Sequence, residues 1–116
     1  MPEINGTWDC DFNHAHERMK VAVDSLVGTD SLSKRLGHAL HTMGNFLGED
    51  DFPDELKGAY RDIITECSTR ESIGRETAFD VTIRRMGYRK KKEIAQRIVD
   101  LYDTIATDYI LPDSLY

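Results

Sequence analysis

The sequence predicts an all-α fold, a small helical bundle or orthogonal array of about five helices with an extended N-terminal arm. Three observations predict it. Apolar residues return every three or four positions through most of residues 13–111, the period of one helix face. Glycine, proline and short Ser/Thr/Asp clusters interrupt that rhythm where helices would stop and restart. The one stretch that alternates in the manner of a strand has no evident partner strand. The organisation expected is an arm over residues 1–12, a single helical domain over 13–111 and a short tail over 112–116.

The arm contains Pro2 and Gly6 and little helical periodicity, and Trp8 and Phe12 are expected to anchor it. From Asn13, a plausible N-cap, Ala15, Met19, Val23 and Leu26 form one stripe, widened by Ala22 and Val27, and Gly28 ends it. Thr29-Asp30-Ser31 offers capping side chains for a second helix. Its stripe is Leu32, Leu36, Leu40, Met43 and Leu47, helped by Ala39 and Phe46. Gly37 and Gly44 each weaken that helix by about 1 kcal/mol relative to alanine, which suggests close packing against a neighbour. Gly48 closes it.

Residues 49–55, Glu-Asp-Asp-Phe-Pro-Asp-Glu, read as the start of a third helix, with Pro53 in its first turn and carboxylates near the positive end of the dipole. Leu56, Tyr60, Ile63, Ile64 and Cys67 supply its apolar face. Ser68-Thr69-Arg70-Glu71 matches a capping box for a fourth helix. Phe79, Val81 and Ile83 alternate as in a strand, but Phe79, Ile83 and Met86 fit a helix, which the neighbouring segments favour. Gly87 breaks the chain. The last helix is the clearest, with Ile94, Ile98, Leu101 and Ile105 in one narrow stripe, Ala95, Tyr102 and Tyr109 on one flank and Pro112 as the stop.

A chain of 116 residues is long enough for one independent core, and 40% hydrophobic with 31% charged residues suits a soluble globule. No apolar run approaches the roughly 18 residues that would cross a bilayer, and the first residues lack the basic and apolar regions of a secretory signal. The cytoplasm is therefore the expected compartment. Cys10 and Cys67 form no CxxC pair and are expected to be reduced thiols.

The net charge of −6 disfavours a general nucleic-acid binder. Its distribution is uneven. Residues 84–97 hold Arg84, Arg85, Arg89, Lys90, Lys91, Lys92 and Arg97 against Glu93 alone, a local +6, while the other 8 basic and 20 acidic residues make −12. The run sits at the start of the last helix and should crown one end of the bundle, with Lys90 and Lys91 flanking the apolar stripe and Lys92 pointing away. Lysines beside helix N–H groups suit phosphate or carboxylate. The bland reading is a solvated end neutralised by acidic neighbours; docking to an acidic protein comes next. Nucleic-acid contact is third, since helix, Gly87-Tyr88 turn and helix only loosely resembles a helix-turn-helix.

The histidines are the second constellation. His38 and His41 stand three apart on a helix, and His14 and His16 lie near Asp9, Cys10, Asp11 and Glu17. These are zinc-ligand types, but His14 and His16 would point to different sides of a helix and no HExxH or paired CxxC is present. Four ordinary histidines are the simpler expectation. The acidic run 49–55 lacks the spacing and central glycine of an EF-hand. Neither cysteine has a histidine at a recognised spacing, and no GxSxG or GxxxxGK[ST] occurs. Tyr102 and Tyr109 read as core edge and Tyr116 as a contact with a partner or sister subunit.

The function expected is therefore a non-enzymatic interaction module, cofactor-free, with a protein partner or a homo-oligomeric state and no membrane. Nucleic-acid binding through residues 84–97 is the alternative, and histidine-based metal binding the second alternative.

Overall fold

A computed structural model describes residues 12–109 of the chain. Five α-helices and one 3-10 turn make up this region: α1 Phe12–Leu26, α2 Leu32–Phe46, the turn Glu49–Asp51, α3 Asp54–Glu66, α4 Ala78–Arg85 and α5 Tyr88–Asp108. The fold is all-α, as the apolar period predicts. Among the described residues the sole strand-like pairing is an isolated bridge between Ile73 and Glu76.

Helix α1 buries Ala15, Met19, Ala22 and Leu26, a spacing of four, three and four. It begins at Phe12, so Asn13 lies inside its first turn and is not the N-cap. Phe12 itself belongs to the helix and not to an arm, and its ring meets Tyr109 edge-on at 5.7 Å. The rest of the expected arm, with Trp8 and Cys10, lies outside the described residues, as do Pro112 and Tyr116. Val27 is 77% exposed because the helix ends one residue earlier and the chain turns there. Arg35 closes that end, donating to the Leu26 carbonyl at 2.6 Å and the Asp30 carbonyl at 2.9 Å, where helix carbonyls lack intrahelical partners.

Ser31 caps α2 by accepting a hydrogen bond from the Lys34 N–H. Leu36, Ala39, Leu40 and Met43 are fully buried. Phe46 is 51% exposed and covered by the Arg18 guanidinium 4.4 Å above its ring, so it lies outside the core stripe. Gly44 is the close approach anticipated from the two glycines. A Cβ there would sit 2.7 Å from the Phe79 ring of α4. At Gly37 a Cβ would meet nothing nearer than Asp80 Oδ1 at 3.9 Å, so that glycine is not compelled by packing.

The acidic run after α2 divides. Glu49–Asp51 forms the 3-10 turn, with Asp51 accepting from the Gly48 N–H at 2.8 Å, and α3 starts only at Asp54 behind Pro53 as N-cap. Phe52 is buried and stacks on Tyr60 at 4.6 Å. The Tyr60 hydroxyl donates toward the Leu47 carbonyl at 2.9 Å, just past the end of α2, and lies 3.2 Å from the Met43 carbonyl, which also accepts the Leu47 N–H. Ile63 and Cys67 complete the buried face of α3. Burial first, and the neighbouring Glu66 second, push the Cys67 thiol up to about 12, in keeping with its place in the core.

The Ser68–Glu71 capping box does not form. The Ser68 hydroxyl instead donates back to the Ile64 carbonyl at 2.7 Å, and no helix comes until Ala78. Between them runs a loop whose turn is closed by paired Ile73 and Glu76 backbone bonds and uses Gly74 at φ +58°. The Arg70 N–H ties this loop to the buried Thr82 hydroxyl at 3.0 Å. The capping box lies nine residues further on: Thr77 Oγ1 accepts from the Asp80 N–H, and Asp80 Oδ2 accepts from the Thr77 N–H. Segment 78–85 is thus helical, as its neighbours suggested. It packs on α2, while α5 packs on α1, α2 and α3. Ile94, Ile98, Leu101 and Ile105 are all buried, and α5 ends at Asp108.

Candidate functional site

Helices α3 and α5 run antiparallel, which brings the last residue of α3 beside the first half of α5. Glu66 therefore meets two of the seven cations. Lys90 Nζ donates to Glu66 Oε1 at 2.7 Å, and Arg97 spans both oxygens at 3.1 and 2.9 Å. Glu93, on α5 itself, joins both cations at 3.2 and 3.3 Å. Hydrogen bonds from Arg97 and then Lys90 outweigh burial and hold the Glu66 carboxyl down at about 2. Arg84, near the end of α4, makes a two-point pair with Glu76 of the loop that precedes the helix, at 3.2 and 2.9 Å.

The other four cations differ. Lys91 Nζ donates to the Ser33 hydroxyl at 2.7 Å, joining the start of α5 to the start of α2. Lys92 lies 5.6 Å from the ring of Tyr88, itself 68% exposed. Arg85 and Arg89 are exposed and meet no acidic group among the described residues. Lys90 and Lys91 flank the apolar stripe half-buried while Lys92 is exposed, as the helical period anticipates. The basic segment thus has two parts: Arg84, Lys90, Lys91 and Arg97 fasten the fold, and Arg85, Arg89 and Lys92 face outward with no carboxylate among the described residues.

The Glu66 cluster predicts a stability that depends on pH in the acid range. A carboxyl whose folded value is about 2, against 4.5 ordinarily, stabilises the folded state above pH 4.5, and that contribution fades as pH falls toward 2. The group is over a third exposed, so screening limits its worth to about 1 kcal/mol. Denaturation midpoints measured from pH 6 down to pH 2 should fall more steeply for the wild type than for Glu66→Gln, which binds no proton there. Parallel profiles would show that the cluster is not ionically coupled.

A groove of about 540 Å³ lies between α2 and α4. Gly37 and Ile83 are the buried members of its lining; Ser33, Lys34, His38, His41, Glu76, Asp80 and Arg84 complete it. His41 Nε2 lies 3.1 Å from Asp80 Oδ1, with its ring edge-on to Phe79. Burial raises the Asp80 carboxyl, but hydrogen bonds from His41 and Thr77 overcome this and leave it below its usual range.

The histidines go to separate places. His14 Nε2 bonds the Phe46 carbonyl at 2.8 Å, and His16 stacks on Tyr102 at 5.4 Å, so the two do point to different sides. His38 and His41 share the groove. Among the described residues, no three His, Cys, Asp or Glu side chains gather as a metal site. In the acidic run, Glu49 pairs with Arg61 and Asp54 with Lys57.

Sequence reasoning missed Lys34 and the carboxylates Glu66, Glu76 and Asp80. The Glu93–Arg97 and Lys90–Glu93 spacings were readable, as i,i+4 and i,i+3 pairs; the rest depends on which helices become neighbours. No helix among the described residues is long and apolar enough to cross a membrane. Comparison with protein-family models, curated proteins and solved structures finds no match to this chain.

Proposed function

We propose that this chain is a non-enzymatic helical interaction module whose basic corner docks on an acidic protein surface. One observation carries the reading. Arg85, Arg89 and Lys92 are exposed and meet no carboxylate among the described residues, Lys92 lying beside exposed Tyr88, while neighbouring cations of the same run are consumed internally. Unpaired cations steer an acidic partner and fix its register, and a solvent-exposed tyrosine supplies apolar area at low entropic cost. The same division weighs against nucleic acid. With Arg84, Lys90 and Arg97 committed, fewer side chains remain to neutralise phosphates, and the rest of the chain is strongly acidic.

The test is a triple charge reversal, Arg85→Glu/Arg89→Glu/Lys92→Glu, which touches no internal ion pair and should leave the circular dichroism spectrum unchanged. A protein that co-purifies from the native host should bind wild type at least tenfold more tightly than the variant, and more weakly as salt rises. Equal binding by both proteins overturns the reading. Tight binding of duplex or single-stranded probes with a steep salt dependence replaces it with the nucleic-acid reading.

A further inference from the structure

We infer that the groove between α2 and α4 is a binding site for a small oxyanion, a phosphate- or carboxylate-bearing molecule with an apolar body. This is separate from the docking corner and stands on the hydrogen-bond inventory of the groove. All its acceptor carboxylates are satisfied. Glu76 receives Arg84 on both oxygens, and Asp80 receives His41 on one oxygen and the Thr77 N–H on the other. Its donors are not. Lys34 and His38, one turn apart on the same face of α2 and both exposed, have no hydrogen-bond or ion-pair partner among the described residues. The open side-chain positions of the groove are therefore donors, and the ligand group that suits them best is an anion, because charge-assisted bonds are shorter and stronger than neutral ones.

Shape agrees with the charge. The volume of about 540 Å³ falls within the usual range for small-molecule sites, roughly 300–1,000 Å³. Gly37 leaves the floor open, since a side chain there would project toward Asp80, and carbon atoms make up most of the lining surface. The Asp80–His41 and Glu76–Arg84 pairs hold the walls, joining α2 to α4 and α4 to the preceding loop. Apolar contact below and donors along the rim describe a ligand with a greasy body and an anionic end.

The experiment is titration of the full chain with phenyl phosphate, benzoate, inorganic phosphate and neutral benzyl alcohol, monitored by amide NMR shifts and calorimetry. Phenyl phosphate or benzoate should move the amides of Gly37, His38 and Ile83; whichever binds more tightly identifies the oxyanion. Lys34→Ala/His38→Ala, both exposed and so neutral to folding, should weaken that binding at least tenfold. Lys20→Ala, a surface change on α1, should leave it unaltered. The proposal fails if no anion shifts those amides, if the shifts fall on Arg89 and Lys92 instead, or if benzyl alcohol binds as well as phenyl phosphate. None of these failures touches the protein-docking reading, which is scored on the charge-reversal variant.

Discussion

Ile98→Ala is expected to lower the unfolding free energy by about 3 kcal/mol, the middle of the range for removing a buried isoleucine's outer carbons. Ile98 has no solvent exposure and sits mid-stripe on the one helix that packs against α1, α2 and α3 together. Truncation forfeits the transfer energy of the lost carbons and leaves a cavity in a close-packed core that relaxes only in part around it. For a domain of this size the midpoint of thermal unfolding should fall by roughly 12 °C. Ile98→Val should cost about 1 kcal/mol, and Val99→Ala, at a half-buried neighbour, less than Ile98→Ala. A loss below about 1 kcal/mol for Ile98→Ala would mean that α5 does not organise the core. The functional consequence is indirect. The same helix presents Arg89 and Lys92, so loosened packing blurs the corner even though no cation is altered.

That stripe was legible because Ile94, Ile98, Leu101 and Ile105 are branched residues at helical spacing with polar residues between them. No competing period exists there. The Ser68–Glu71 misreading shows where local patterns fail. Ser-x-x-Glu and Thr-x-x-Asp offer the backbone the same pair of acceptors, so the motif alone cannot say which is used. The residues downstream of each motif decide. After Glu71 come Ser72, Ile73 and Gly74, with the glycine taking a positive φ that ends any helix. After Asp80 come Val81 and Ile83, which the core takes up. Phe46 and Val27 are apolar but exposed because each stands at or beyond its helix end, a boundary the pattern placed too far along.

The site was legible in one dimension only. The run Arg89–Lys92 is plain in the sequence, whereas Lys34 carries no local signal that sets it beside His38 in a site. Nor is it plain which cations are neutralised, because Glu66 and Glu76 reach them only after α3 and α5 align and the loop folds back on α4. The distinction between fastening and outward-facing cations is therefore a tertiary fact. So is the groove, whose second wall is a helix of eight residues with no sequence relation to the first.

That short helix is the weak point of the fold, and Asp80→Ala should expose it. Eight residues do not sustain a helix alone, since nucleation is costly and only a few intrahelical bonds repay it. Asp80 supports α4 at both levels: its carboxylate closes the capping box on the Thr77 N–H and accepts His41 from α2. Removing it should cost about 2 kcal/mol, combining a lost cap with a lost charge-assisted bond. The effect should be local. Amide exchange of residues 78–85 should accelerate far more than that of α5, and Asp80→Asn, which keeps one acceptor oxygen, should lose about half as much. Because the folded Asp80 pKa is lowered, its contribution is present above the ordinary carboxyl range and disappears as pH falls through the depressed value. Wild type and Asp80→Ala should therefore converge in acid. Since Ile83 and Arg84 ride on α4, the variant should also lose oxyanion binding in the groove while Arg89 and Lys92, carried by α5, keep their position. Uniform loss of exchange protection across all helices would instead make α4 part of a single cooperative unit.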